Sequence, residues 1–191
     1  MRGLRHISLL LAAALAFCSA ASAGERYLGS FQSPKGLGAS LLFGSSSDNC
    51  FNVINLYADM FGIFSGRTRD VGAVLSYSRD YVIISEDYEF CSVTLHGGPG
   101  FLTGYVHDYE RHYFTSEGST EKNMGFVAAL SGNIGLLTDF YSHRISIDIG
   151  FRIDPGMHIR RDSGDGAVLL SLYKRGIYYS LCPQLCIYYR F

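Results

Sequence analysis

The sequence contains no tryptophan, few charged residues and no excess of either charge sign. Asp, Glu, Lys and Arg make up 17% of its 191 residues, whereas an average soluble domain has about 25%. Disordered chains combine low hydrophobicity with high net charge, so the 48% hydrophobic content excludes that class. The 16 basic residues nearly cancel the 17 acidic ones, which argues against a nucleic-acid-binding protein.

Long apolar runs are also missing, except near the N-terminus. Residues 7–17 are almost wholly apolar, follow two arginines and precede Ala21-Ser22-Ala23. A basic start, a short apolar segment and an A-x-A end are typical of a secretory signal peptide. We therefore predict a signal peptide at residues 1–23 and a single exported domain at residues 24–191. A lipoprotein signal acylated at Cys18 is the alternative, although a bulky phenylalanine precedes that cysteine.

The clearest periodicity lies in residues 143–155. The odd positions from Ile145 to Ile153 are apolar. The even positions carry charges of both signs, at Arg144, Asp148, Arg152 and Asp154. Side chains alternate between the two faces of a strand, so this pattern predicts a strand with one apolar and one charged face.

Similar but weaker alternation occurs along the rest of the chain. It predicts eight strands, near residues 36–43, 51–60, 71–84, 89–107, 124–136, 143–155, 167–174 and 180–191. Segments rich in Gly, Ser, Asn and Asp separate them, and no segment has a convincing helical pattern. The sequence therefore predicts an all-β fold, a single antiparallel up-and-down barrel of about eight strands.

Alternation leaves open which face is inside the barrel. A soluble ligand-binding barrel turns its apolar face inward, whereas a membrane barrel turns it towards lipid. Two features favour the membrane barrel. The mixed-sign charges of residues 143–155 can neutralise one another in a narrow lumen, and small residues within the strands let side chains fill it.

The last seven residues, Leu185-Cys186-Ile187-Tyr188-Tyr189-Arg190-Phe191, carry a family resemblance. They resemble the C-terminal signal by which the assembly machinery recognises bacterial outer-membrane barrels. Together with the predicted signal peptide, the chain resembles the small eight-stranded outer-membrane barrels of the OmpA and OmpX type. The resemblance implies a transmembrane β-barrel in a Gram-negative outer membrane, with Ile187, Tyr189 and Phe191 as the assembly signal.

The expected function is a structural or surface-interaction role, without a channel, because eight strands leave no aqueous pore. We expect Arg144, Asp148, Arg152, Asp154 and Arg190 to form an inward polar network. The expected partners are outer-membrane lipid and the assembly machinery, with no nucleic acid, and the expected state is a monomer. No cofactor, metal site or catalytic residue is expected.

Two other functions stay open. A lipid-modifying enzyme of the same membrane could use His96 with Ser92 and Thr94, or His143 with Ser142 and Asp139, but catalytic geometry leaves no fixed spacing in a sequence. A soluble secreted ligand-binding barrel would line its cavity with the apolar stripe from Ile145 to Ile153.

Two structural questions stay open as well. The cysteines remaining after cleavage, Cys50, Cys91, Cys182 and Cys186, are either small half-buried side chains or include one disulfide. With both termini periplasmic, the long connection at residues 108–123 falls on the periplasmic side, where outer-membrane barrels keep their turns short. Either one strand is missing from the count, or the strands extend into that connection.

Overall fold

The computed structural model describes residues 25–44, 49–64, 66, 70–110, 121–141, 144–161 and 168–191. In chain order the elements are β1 (Glu25–Ser33), β2 (Gly36–Gly44), β3 (Cys50–Asp59), α1 (Phe61–Phe64), β4 (Gly72–Asp87), β5 (Cys91–Glu110), β6 (Glu121–Phe140), β7 (Ile145–Ile153), β8 (Gly156–Arg161), β9 (Val168–Leu172), α2 (Lys174–Tyr178) and β10 (Gln184–Arg190). The predicted signal peptide lies outside the described residues. Neither described helix is long and apolar enough to cross a membrane.

The sheet closes into an eight-stranded antiparallel barrel, as predicted. Strands β1 to β6 each pair with the next strand in sequence, and β10 pairs with both β7 and β1. β8 continues β7 along β6 after a break at Asp154-Pro155, and β9 pairs with β8. Every predicted strand overlaps an observed one, but β1 and β8 were not predicted.

The strand missing from the sequence count is β1, and it settles the conflict over the long connection. Because β1 precedes β2, the start of β1, the end of β10 and the strand ends that flank residues 45–49, 88–90 and 141–144 lie at one end of the barrel, which we call the terminal end. The strand ends that flank residues 34–35, 60–71, 111–120 and 162–167 lie at the opposite end, which we call the loop end. β5 and β6 also extend further into the long connection than the sequence indicated.

The polar face of the wall points inward and the apolar face points outward. Asp80 and Asp154 are fully buried, whereas Leu130 is 73% exposed. Other buried polar or charged side chains are Lys35, Ser40, Asn55, Asp59, Ser76, Ser78, His96, Ser131, Ser146, Asp148, Arg152, His158 and Arg175. Exposed apolar side chains on the outside include Leu28, Leu56, Leu75, Phe101, Ile134, Ile149, Phe151, Ile153 and Ile187.

Apolar side chains share the interior with these polar groups. Phe31 and Tyr57 stack with their ring centroids 4.6 Å apart. Leu102, Val106 and Val127 are almost completely buried. The barrel core is therefore mixed, and its polar groups require partners inside the lumen.

The last strand of the barrel wall is divided into β9 and β10, and the helical turn α2 lies between them. The backbone N–H of Asp154 donates to the carbonyl of Gly176, at 3.0 Å, so α2 bonds to the wall at the break between β7 and β8. Arg175 of α2 points inward and makes two hydrogen bonds to the Asp59 carboxylate, at 2.8 and 3.1 Å. Its guanidinium also lies over the ring of Phe61, 4.7 Å from the centroid, which joins α2 to α1.

We predict that the substitution Arg175→Met destabilises the barrel, because it leaves the Asp59 carboxylate buried without its guanidinium. Removing one partner of a buried ion pair costs about 3–5 kcal/mol, and urea unfolding in detergent micelles should show a loss of this size. The control is the double variant Asp59→Asn/Arg175→Met, which removes both charges and should recover part of the loss. Equal losses in the single and double variants would contradict a role for the ion pair.

Candidate functional site

The candidate site is the charged lumen of the barrel, and its first cluster surrounds Asp154. Arg152 donates from Nε to Asp154 Oδ1 at 2.6 Å, and Lys35 donates from Nζ to Asp154 Oδ2 at 3.2 Å. Ser131 donates to the same carboxylate at 2.7 Å and accepts a hydrogen bond from Arg152 Nη2 at 2.6 Å. Arg152 Nη2 also reaches the carbonyl of Phe101, at 3.1 Å, so this cluster joins three elements of the wall to the turn before β2.

The second cluster surrounds His96 on β5. Its Nδ1 lies 2.9 Å from Asp80 Oδ2, and its Nε2 lies 3.1 Å from Asp148 Oδ1. An imidazolium donates from both nitrogens and therefore matches both carboxylates. Asn133 donates to Asp80 Oδ2 at 2.7 Å, and Phe51 packs edge-on against the imidazole with 4.9 Å between the ring centroids.

Gly135 makes room for the contact between His96 and Asp148. A Cβ at this position would lie 2.8 Å from His96 Nε2 and 2.9 Å from Asp148 Oδ1. Both distances are shorter than ordinary van der Waals contact, so any larger residue here displaces the ion pair. The glycine is therefore part of the cluster although it contributes no side chain.

A small cavity of about 30 Å³ separates the two clusters. This is the volume open to the centre of a water molecule, and a single water needs about 10–15 Å³ of it, so the cavity has room for about two waters. Three acceptor oxygens at its wall make no hydrogen bond to any described residue, namely the Oδ1 atoms of Asn55, Asp80 and Asn133.

A third cluster lies at the terminal end, around Asp139 of β6. Tyr27 and Ser146 donate to its two carboxylate oxygens, at 3.2 and 3.0 Å. Arg190 of β10 lies 3.6 Å from Asp139 Oδ2 and is less buried than the ion pairs deeper in the lumen. This cluster therefore joins β1, β6, β7 and β10 at the terminal end of the barrel.

The lumen ion pairs between the described residues named above contain equal numbers of carboxylates and cationic groups. Five carboxylates take part, namely Asp59, Asp80, Asp139, Asp148 and Asp154, with five cationic groups, namely Lys35, His96, Arg152, Arg175 and Arg190. The balance counts His96 as imidazolium. Charges of opposite sign attract strongly in a medium of low polarity, so the pairing offsets part of their desolvation.

The structure brings together three members of the predicted polar network. Asp148, Arg152 and Asp154 are buried in the lumen, and Arg190 joins the separate cluster around Asp139. The prediction for Arg144 is wrong. This residue precedes β7 in a turn, has a φ of 52° and is exposed, so the alternation of the strand does not extend to it.

The predicted polar network omitted six of these ten lumen groups, namely Lys35, Asp59, Asp80, His96, Asp139 and Arg175, because most of their partners are distant in sequence. A signal was present for Asp80, which follows Ser76 and Ser78 at alternate positions of β4. Arg175 gave no comparable signal, because it belongs to a short helical turn rather than a strand.

The residues considered for catalysis are not assembled into a reactive group within the described structure. His96 is 2% exposed and both its nitrogens are engaged by carboxylates. Ser92 and Thr94 share its strand face, but neither hydrogen-bonds to it. Asp139 binds Arg190, whereas Ser142 and His143 lie outside the described residues. No group of three potential metal ligands occurs in the described part of the chain.

The other residues singled out from the sequence lie in the wall. Ile187, Tyr189 and Phe191, the predicted assembly signal, are exposed on the outer surface at the terminal end. All four cysteines outside the predicted signal peptide are free thiols. Tyr188 points into the lumen and hydrogen-bonds to Ser40 Oγ at 2.8 Å.

No protein-family model, curated protein or solved structure matches the chain.

We predict that Gly135→Ala lowers the stability of the barrel, because its methyl group would collide with His96 and Asp148. Overpacking of this kind costs about 1–3 kcal/mol, measurable by urea unfolding in detergent micelles. Gly132→Ala on the same strand is the matched control, because the nearest atom to its added Cβ is 3.6 Å away. Equal stability of the two variants would mean that the His96 cluster does not constrain this position.

Proposed function

We propose that the chain is an integral β-barrel protein of a bacterial outer membrane, with a structural or surface-interaction role and no channel. The observation that carries the proposal is the polarity of the closed barrel. Its interior contains buried ion pairs among apolar side chains, while large apolar side chains cover its outside. This polarity suits a wall that contacts hydrocarbon and is the reverse of what water favours.

The backbone supports the same proposal. In a bilayer every backbone N–H and C=O of a spanning segment needs a partner within the protein, which a closed barrel provides. The pairing of β10 with both β7 and β1 closes the ring. A membrane location therefore explains both the closure and the apolar outside.

The arrangement of the connections supports one orientation. The strand ends that flank the longer connecting segments of the sequence, residues 60–71, 111–120 and 162–167, are all at the loop end. Outer-membrane barrels have short periplasmic turns and longer outer loops, so we place the loop end outside the cell and the terminal end in the periplasm. Any surface interaction then involves the loop end.

Neither alternative has comparable support. The soluble ligand-binding barrel requires the stripe from Ile145 to Ile153 to line a cavity, but Ile145, Ile149 and Ile153 are exposed on the outside. The lipid-modifying enzyme requires an accessible acid-base group, whereas His96 is buried between two carboxylates. Lipid A mass spectra with and without the protein would test the enzyme directly.

Cell fractionation and gel mobility test the membrane proposal. We expect the protein in the outer-membrane fraction, with a change of mobility in detergent gels after boiling, because a closed barrel resists detergent until it is heated. A soluble periplasmic protein without a mobility change would refute the proposal.

A matched pair of variants tests which surface meets lipid. Phe151 lies between two other outward apolar residues of β7, whereas Phe90 lies in the short β4–β5 connection. Arginine costs about 2–4 kcal/mol at the middle of a bilayer and about 0–1 kcal/mol near its surface. Phe151→Arg should therefore reduce folding into vesicles far more than Phe90→Arg, and equal effects would contradict the lipid-facing band.

We predict that deleting Phe191 reduces the amount of heat-modifiable protein in the outer membrane of cells. The reason is the resemblance of the last strand to an assembly signal, since Phe191 makes no large contribution to the buried core. Refolding of the purified truncated protein in detergent should be nearly normal, because assembly and stability are separate properties. Unchanged membrane levels would count against a C-terminal signal, and Phe191→Tyr serves as the conservative control.

A further inference from the structure

Few charged side chains interrupt the described apolar outer surface of the barrel wall, and Arg79 of β4 is one of them, as is Arg26 of β1. Across the described outer faces of β2, β3, β6 and β7 no charged residue occurs, and Arg79 is the one charged residue on the outer face of β4 before its bulge. Arg79 is exposed and lies opposite Asn52 in the pairing of β3 with β4. An exposed arginine in such a band is costly in hydrocarbon, so its position needs an explanation.

The contacts of Arg79 direct its guanidinium towards the terminal end. It donates from Nη2 to Cys50 Sγ at 3.4 Å, and it lies 5.9 Å from the ring centroid of Tyr81. Cys50 and Tyr81 form the pair of the β3–β4 ladder next to the terminal end. A long basic side chain near a membrane surface extends its charged head towards the headgroups in this way.

No carboxylate neutralises Arg79 among the described residues. Its partners are a thiol and an aromatic ring, which leave most of the five guanidinium N–H donors available. The neighbouring polar pair is self-contained, because Tyr77 donates to Asn52 Oδ1 at 2.8 Å. The lumen arginines Arg152 and Arg175, in contrast, each bind a carboxylate.

We propose that Arg79, with Tyr81 beside it, binds the phosphate of an anionic phospholipid in the leaflet at the terminal end of the barrel. A guanidinium matches a phosphate through two parallel hydrogen bonds, and an amphipathic tyrosine ring is favoured at the depth of the headgroups. The charge of Arg79 is local, because the neighbouring outward residues of β3 and β4, namely Cys50, Asn52, Ile54, Tyr77 and Tyr81, carry no charge. This inference rests on the proposed membrane function and adds a specific lipid contact to it.

Native mass spectrometry of the refolded protein with equal amounts of phosphatidylglycerol and phosphatidylcholine tests the contact. We expect the wild-type protein to retain phosphatidylglycerol preferentially. Arg79→Gln should reduce this preference about fivefold, which corresponds to the roughly 1 kcal/mol that one basic residue contributes near an anionic surface. Arg79→Lys should keep part of the preference, since a lysine retains the charge but not the two-pronged geometry.

Arg144→Gln is the matched control, because Arg144 is an exposed arginine at the same end but in a turn rather than the wall. Its lipid preference should equal that of the wild type. A wild-type protein without preference, or an Arg79→Gln variant with unchanged preference, would overturn the inference. A wild-type dimer that dissociates in Arg79→Gln would overturn it too, in favour of a second copy at this surface.

Folding into pure phosphatidylcholine vesicles separates this inference from the proposed function. If Arg79→Gln folds there and shows the heat-dependent mobility change while its lipid preference is unaltered, only the lipid site is rejected. If the wild-type protein folds neither into phosphatidylcholine vesicles nor into vesicles that contain phosphatidylglycerol, the membrane function itself is rejected.

Discussion

The structure depends on the pairing of charges inside a narrow barrel. Charged groups removed from water are strongly unfavourable unless they are paired and hydrogen-bonded. In this lumen each carboxylate of the ion pairs lies beside a cationic group. The Asp154 carboxylate accepts three hydrogen bonds, from Arg152, Lys35 and Ser131. Most of these contacts, such as that of Lys35 with Asp154, join residues that are far apart in sequence, so they also specify which parts of the wall face one another.

The pairing explains why glycine and a helical turn appear where a regular strand would have larger residues. Gly135 allows His96 and Asp148 to approach each other, which a methyl group at this position would prevent. The turn of α2 replaces the regular strand at the break between β7 and β8 and brings Arg175 to Asp59. Both departures from a uniform strand thus serve the polar interior.

Much of the wall is encoded in local alternation, whereas the interior is not. β7 was evident because one face is wholly apolar and the other carries charges. β1 was missed because it places Tyr27 and Phe31 in the lumen and Ser30 outside, so its polarity is mixed. β8 was missed because Pro155-Gly156 resembles a turn.

The composition of the lumen clusters required the closed structure. Alternation correctly placed Asp148 and Arg152 on an inward face, but it cannot show that His96 lies between Asp80 and Asp148. Those contacts depend on strands that the barrel brings together across its interior. Extending the alternation into the turn before β7 likewise misassigned Arg144, because the rule holds only while the backbone is extended.

The two sides of the wall follow one rule applied to two environments. Inside, a charge is stable where another part of the wall supplies its counter-charge, as with His96 of β5 and Asp148 of β7. Outside, no described carboxylate pairs with Arg79, and apolar residues predominate. Arg79 is stable under the same rule only if its counter-charge comes from beyond the protein, and its contacts with Cys50 and Tyr81 direct it to the end of the barrel where such a group is available.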